Sequence, residues 1–313
     1  MYYCFGCGKG GNVITFVMDY ENESFQEAVA SLAERAGIEL PQEEESEESR
    51  RQADYRSILF AIQKEAARYF YHQLMSENGK RGYLYLRGRG LSDETIKNFG
   101  LGYANQYPDD LYRFLRQKGF SDAQLKDSGL VKIDERGCYD KFWNRVMFPI
   151  MDINNKVIGF GGRVMGEGEP KYLNSPETPI FEKNRNLYGM HVAKRNGKPY
   201  FLICEGYMDV ISLHQAGFTN AVASLGTAFT VQHGLLLKRY TKEVVLTFDS
   251  DGAGIKAALR AIPILKEAGL SARVLTMKPY KDPDEFIKNM GAEAYQKRID
   301  EAIPSFMFEI QVL

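Results

Sequence analysis

With 313 residues, 44% of them hydrophobic, the chain can bury two or three cores, and its formal net charge of −1 excludes a uniformly basic nucleic-acid binder. No apolar stretch approaches the ~18 residues that a bilayer span requires, and the N-terminus lacks the basic-then-apolar layout of a signal peptide, so a cytoplasmic location is expected. Four cysteines are too few for a disulfide scaffold.

The charge is unevenly spread. Between Arg56 and Lys198 there are 24 Lys and Arg against 16 Asp and Glu, a net of +8, while the acids gather in "EEESEES" and in the last third. A basic region beside an acidic one suits a protein that holds a polyanion on one surface and a divalent metal on another.

In chain order, "CFGCGKGGNVITFVMDY" leads into a helical pattern over "SFQEAVASLAERAGIEL", with Ser24 as N-cap and Phe25, Ala28, Val29, Leu32 and Ala36 on one face. Residues 1–40 form one small module, and the acidic stretch 41–54 is a linker. A helix is expected from Tyr55 to Met75, ended by "SENGKRG". A second follows at "LSDETIKNF" behind Ser92, and a third starts near Asp109. "VMFPI" and "VIGFGGR", joined by "MDINNK", predict an antiparallel hairpin, whereas "PKYLNSPETPIF" is too rich in Pro and polar groups for either regular state. From "YFLIC" onward, strand and helix alternate through "DVISLHQAG", "AVASL", "VQHGLLLKRY", "VVLTF", "GIKAALRAIPILKEAG", "ARVLTM" and "DEFIKNM". That alternation predicts an α/β fold with a parallel sheet flanked by helices.

Ligands of such sheets bind at the C-terminal strand ends. Three of those ends are acidic: Glu205 in "FLICEG", Asp249 and Asp251 in "VLTFDSD", Asp282 and Asp284 in "KDPDE". Asp209, one helical turn past Glu205, points to the same edge. Residues two apart in extended chain project to one side, so Asp249 and Asp251 can share a cation, and hard oxygens with no His or Cys beside them suit Mg²⁺ or Mn²⁺. The competing reading makes Asp251 the cap of the helix starting at Gly252.

"EGYMDVISLHQAGFTNAVASLGTAFT", "FDSDGAGIKAALRA" and "KDPDEF" resemble the three blocks of a Toprim domain, with the wording of the bacterial DNA primase of the DnaG type. "NRVMFPI", "VIGFGGR" and "PKYLNSPET" resemble that family's preceding subdomain, and "YYCFGCGKGGNVITFVM" resembles the tail of its zinc-binding module. One departure is Ser250, where the family usually has Gly. The resemblance implies a Toprim domain at 199–298 preceded by a mixed α+β basic subdomain at 55–198, with 299–313 opening a C-terminal helical subdomain. It implies RNA primer synthesis on single-stranded DNA by divalent-metal-dependent nucleotidyl transfer. Glu205, Asp249 and Asp251 would be catalytic, Glu205 either ligating a metal or accepting a proton, and Asp209, Asp282 and Asp284 would complete the metal cage.

By the same resemblance Arg89, Arg145, Arg163, Lys171, Tyr172, Asn174 and Lys183 would face template or nucleotide, with Tyr172 beside Lys171 offering a stacking surface next to a cation. Arg163 also stands out from the residues alone, because "GFGG" leaves room for a phosphate to come close. Cys4 and Cys7 form a zinc knuckle lacking two of its four ligands, so zinc is expected in the full-length protein and not in residues 1–40 as they stand. The expected partners are single-stranded DNA, ribonucleoside triphosphates, the single-stranded-DNA-binding protein and, for the full-length protein through a C-terminal domain outside this chain, the replicative helicase. Other Toprim enzymes, such as type IA topoisomerases or OLD-type nucleases, and a non-catalytic DNA-binding module are the alternatives. No G-x-x-x-x-G-K-[ST] occurs to support a primase-helicase.

Overall fold

The computed structural model describes residues 1–3, 6, 10–21, 25–38, 47–135 and 137–312. The chain divides into two units, Met1–Asp54 and Tyr55–Leu313. In the first, strands Tyr2–Tyr3 and Gly10–Gly11 pair antiparallel, and helices Val13–Glu21 and Phe25–Ala36 follow. Ala28 and Ala33 are buried, but Phe25 and Ala36 of the expected apolar face are exposed. Ser24, Cys4 and Cys7 lie outside the described residues.

The expected 55–75 helix begins at Glu47, inside the stretch read as linker, and runs to Met75. Glu47 and Glu48 in its first turn favour that start through the helix dipole. A helix at Lys80–Gly88 was not expected, because its glycines read as a terminator. Gly82 is buried there, and a Cβ would stand 2.7 Å from the Tyr103 ring, so close packing explains the glycine. The two following helices form as expected at Asp93–Asn98 and Asp110–Gln117; the Ser92 hydroxyl accepts the Thr95 N–H at the start of the first.

Two sheets organise the larger unit. One is antiparallel, in the order Gly102–Ala104, Arg145–Met151, Val157–Val164, Tyr172–Asn174. Its central hairpin turns where the Asp152 carboxylate accepts the N–H groups of Asn154 and Lys156 and Asn155 takes a φ of 63°. Its last strand lies within the segment expected to be irregular. The other sheet runs Ala221–Ala223, Tyr200–Cys204, Glu243–Leu246, Ser271–Val274, Ile303–Pro304; the first four strands are parallel and the last antiparallel. This is the α/β fold expected.

One buried cluster includes Leu86 and Phe148 of the basic half and Leu202, Val210 and Tyr295 of the acidic half, so the two halves share buried contacts. Tyr207 joins the halves by stacking on Phe148 at 5.2 Å with ring planes 8° apart.

Candidate active site

Glu205 directly follows the strand Tyr200–Cys204, and its Oε1 accepts the Asp249 N–H at 2.9 Å, which brings two neighbouring strand ends together. The turn holding Asp249 is tied in turn to the third acidic loop, since the Ser250 N–H donates to the Lys281 carbonyl at 2.7 Å. Parallel pairing puts all three ends at one edge. There a cavity of about 320 Å³ opens, lined on its acidic side by Glu205, Asp209, Asp249 and Asp282 and on its other side by Arg89, Arg163, Lys171, Tyr172 and Asn174.

Burial, followed by the charges of Glu205 and Asp282, pushes the Asp249 carboxyl up to about 6. Lys281 Nζ, exposed to solvent, stands 3.6 Å from its Oδ2. Asp209 is buried at the start of the helix Tyr207–Gln215, accepting the Gly206 N–H at 3.0 Å; burial, and then Asp282 and Asp249, raise its pKa well above the usual carboxylate range. Asp282 caps the helix Pro283–Asp300 by accepting the Glu285 N–H at 2.8 Å.

Two of the predicted acids are placed differently. Asp251 is exposed and caps the helix Gly252–Glu267, accepting the Ala253 and Gly254 N–H groups at 2.9 Å each; the Gly254 bond comes first in holding its pKa below the usual range. The capping reading therefore describes its contacts. Asp284 does not line the cavity. It is 4% exposed, and its oxygens are taken by the Ser212 hydroxyl, by Arg89 Nη2 and by Lys288 Nζ at 2.7 Å. Burial alone would raise its pKa, but the Lys288, Ser212 and Arg89 contacts outweigh it and lower the value.

Among the described residues, no three Asp, Glu, His or Cys side chains stand close enough to hold one metal ion among themselves. The donor chemistry nevertheless fits a hard divalent cation: the carboxylates facing the cavity repel one another, and Mg²⁺ keeps several waters and takes only one or two carboxylates besides substrate phosphates.

Opposite the acids, Arg163 lies 5.3 Å from the ring centres of both Tyr85 and Tyr172 and donates to the Tyr172 hydroxyl at 3.2 Å. Asn174 accepts the Tyr207 hydroxyl at 2.7 Å and donates to the Leu225 carbonyl at 2.8 Å. The space left by the glycine run is filled by protein: a Cβ on Gly161 would meet the Tyr207 ring at 2.5 Å. Arg145 does not line the cavity. It is buried, and its Nη1 donates to the carbonyls of Gly162 and Pro170 at 3.1 and 2.9 Å, cross-bracing the hairpin.

Lys183 also lies away from this cavity. Burial, followed by the charge of Lys183, lowers the pKa of Lys141, and Lys141 lines a second cavity of about 830 Å³. Lys126, Lys132, Lys141, Tyr139 and Trp143 line that cavity, and Trp143 is 55% exposed. The sequence reading missed this surface. Its signal was the lone tryptophan of the chain, next but one to a lysine in "DKFWN".

An acid-edged parallel sheet joined to a basic antiparallel sheet defines a Toprim-bearing α/β core. The model for the DNA primase catalytic core N-terminal domain matches residues 69–194, the Toprim-like model matches 202–287, and the CHC2 zinc finger model matches 1–48. The chain is 44% identical over 311 residues to a DNA primase of Clostridium acetobutylicum, covering 99% of this chain and 52% of that one. It is 40% identical over 316 residues to one from Escherichia coli, covering 98% and 54%. Among solved structures, a DnaG primase catalytic domain bound to ssDNA matches with TM-score 0.77 and 38% identity over 83% of this chain and 84% of that one. The zinc-binding and RNA polymerase domains of the Aquifex aeolicus primase match with TM-score 0.73 and 34% identity over 96% and 73%. The chain belongs to the DnaG-type bacterial DNA primase family. It spans about half the length of the curated relatives it matches.

Divalent metal and zinc go with the Toprim and CHC2 matches. The expectation that the N-terminal module is a remnant without zinc is corrected by the match at 1–48: a zinc finger is present there. No described helix is long and apolar enough to cross a membrane.

Proposed function

We propose that this chain carries the nucleotidyl-transfer site of a primase, joining ribonucleoside triphosphates into short RNA primers on a single-stranded DNA template. The observation that carries the reading is one cavity with Glu205, Asp249 and Asp282 on one wall and Arg89, Arg163 and Lys171 on the other. In the reaction a 3′-hydroxyl oxygen bonds to the α-phosphorus, the bond to pyrophosphate breaks, and the hydroxyl proton passes to solvent water. Mg²⁺ or Mn²⁺, when bound, makes that oxygen more nucleophilic and neutralises the leaving pyrophosphate.

The chain's own residues do the rest. Glu205 and Asp249, held together by a backbone hydrogen bond, present oxygens to the ion, and Asp282 adds charge from the third loop. Arg89, Arg163 and Lys171 orient phosphates, and Tyr172, its ring facing the Arg163 guanidinium, offers a surface for a base. Asp209, although buried, is part of the acidic wall. Asp284 takes no direct part in metal binding in this scheme, because both its oxygens are already engaged, whereas Asp251 caps its helix through Oδ1 alone and keeps Oδ2 for the ion.

The template is assigned to the second cavity, where Lys126, Lys132 and Lys141 supply cations and Trp143 a stacking face. The ssDNA-bound relative supports a single-stranded template. Cys4 and Cys7 are assigned to zinc on the strength of the CHC2 match. The single-stranded-DNA-binding protein is proposed as a partner by the family resemblance, and the replicative helicase as a partner of the full-length protein.

The test is primer synthesis on single-stranded template with Mg²⁺ or Mn²⁺ against chelator. Glu205→Gln is expected to lower the rate at least 100-fold, in line with the loss of one transition-state charge contact. Wild-type rates from the variant would remove Glu205 from the reaction.

A further inference from the structure

The loop after the helix Lys80–Gly88 is fastened to the acidic half at three points. Arg89 Nη2 donates to Asp284, the Gly90 carbonyl accepts Gln215 Nε2 at 2.9 Å, and the Ser92 N–H donates to Gln215 Oε1 at 2.8 Å. Asp284 is itself held by the Ser212 hydroxyl and by Lys288. A guanidinium has five donors in a rigid fork, and the bond to Asp284 uses one nitrogen, so the remaining edge of Arg89 stays on the cavity wall.

We propose that Asp284 is a positioning residue: its buried carboxylate fixes the Arg89 guanidinium at the cavity so that it meets the triphosphate of the incoming nucleotide, and it ligates no metal. The inference rests on reading the cavity as the nucleotide site. To ligate an ion, Asp284 would have to give up two cations and leave Arg89 and Lys288 uncompensated in a partly buried setting, a cost that the solvent-facing acids do not carry. The Gln215 clamp restricts the same loop, so Arg89 reaches the cavity from a fixed backbone, the condition under which one charged contact orients a substrate.

The experiment pairs kinetics with metal binding. Asp284→Asn and Arg89→Gln are each expected to raise KM for ribonucleoside triphosphates about tenfold with kcat changed less than threefold, the scale of one charge-assisted hydrogen bond. The double variant is expected to be no worse than Arg89→Gln alone, because Asp284 acts through Arg89. Mn²⁺ affinity, followed by the spin-resonance signal of free Mn²⁺, should stay within twofold of wild type in Asp284→Asn and fall more than tenfold in Asp249→Asn. Loss of Mn²⁺ by Asp284→Asn to the extent seen in Asp249→Asn, or additive effects in the double variant, overturns the proposal. Should Asp284→Asn fail to fold, Ser212→Ala loosens the same carboxylate, with KM expected to rise about threefold at unchanged Mn²⁺ affinity; unchanged KM there rejects the role. If the unaltered chain binds no Mn²⁺, the metal-site reading fails by itself. The cycle is then read on affinity for a methylene-bridged nucleotide measured by calorimetry, and it still decides the role of Asp284.

Discussion

Asp249 answers to burial and to its neighbours at once. Its pKa of about 6 lies above the ~3.9 of an unfolded aspartate, so between those values the folded chain holds a proton that the unfolded chain has released. The stability this confers is full below about pH 4 and is lost as pH rises to about 6. His214 pulls the other way. Burial lowers its pKa to about 4 while its ring shares a 2.8 Å hydrogen bond with the Ala221 carbonyl, so its contribution is lost as pH falls from about 6.5. The difference between Asp249→Asn and the unaltered chain isolates the first group. In chelator, the melting temperature of the variant relative to wild type should climb between pH 4 and 6 and level off above; a flat difference would contradict the repulsion assigned to this cluster. Trp143 gives a second test at this scale. As the lone tryptophan, it should lose fluorescence when single-stranded DNA binds, and Trp143→Ala should weaken binding about tenfold or more, since stacking contributes ~1–3 kcal/mol per base. Unquenched emission with saturating DNA would move the template elsewhere.

At the scale of elements, the strand Val157–Val164 and the helix Tyr207–Gln215 depend on each other through an absence. Gly161 has no side chain, the Tyr207 ring occupies that space, and the ring stacks on Phe148 of the neighbouring strand while its hydroxyl fixes Asn174. Gly161→Ala puts a carbon where the ring stands. Overpacking of this kind costs about 1–3 kcal/mol, or roughly 2–10 °C in melting temperature for a unit of this size, and the displaced Tyr207 should lower primer synthesis with it. An alanine variant that melts and works like wild type would show the contact to be slack. The hairpin, its turn and the strand–helix alternation were legible in the sequence because they rest on local periodicity and turn chemistry. The strand Tyr172–Asn174 and the helix Lys80–Gly88 were not, because each is specified by the partner it packs or pairs against, the neighbouring strand in one case and Tyr103 in the other.

At the scale of the molecule, the three buried clusters consist of residues from Tyr55 onward, which leaves the larger unit its own supply of core. Removing residues 1–54 should abolish zinc uptake, measured by atomic emission, while leaving the calorimetric transition of the remainder within a few degrees. Loss of that transition would mean that the larger unit leans on the first. The basic and acidic halves, read from the sequence as separate subdomains, share a core in which Phe148, Tyr188, Leu202 and Tyr295 belong to one cluster, so they are expected to unfold together.

Strand–helix alternation and acids at successive strand ends are properties of order along the chain. They settled in advance that Glu205, Asp249 and Asp282 would meet at one edge of a parallel sheet, because that geometry always gathers C-terminal strand ends. Which carboxylates are engaged locally and which by distant partners was decided only in three dimensions. Asp251 gives its oxygen to N–H groups two and three residues on, whereas Asp284 is claimed by Ser212 and Arg89, which lie 72 and 195 positions away. The distant partners cannot be read from spacing, since a carboxylate's charge is set by whatever the fold brings beside it.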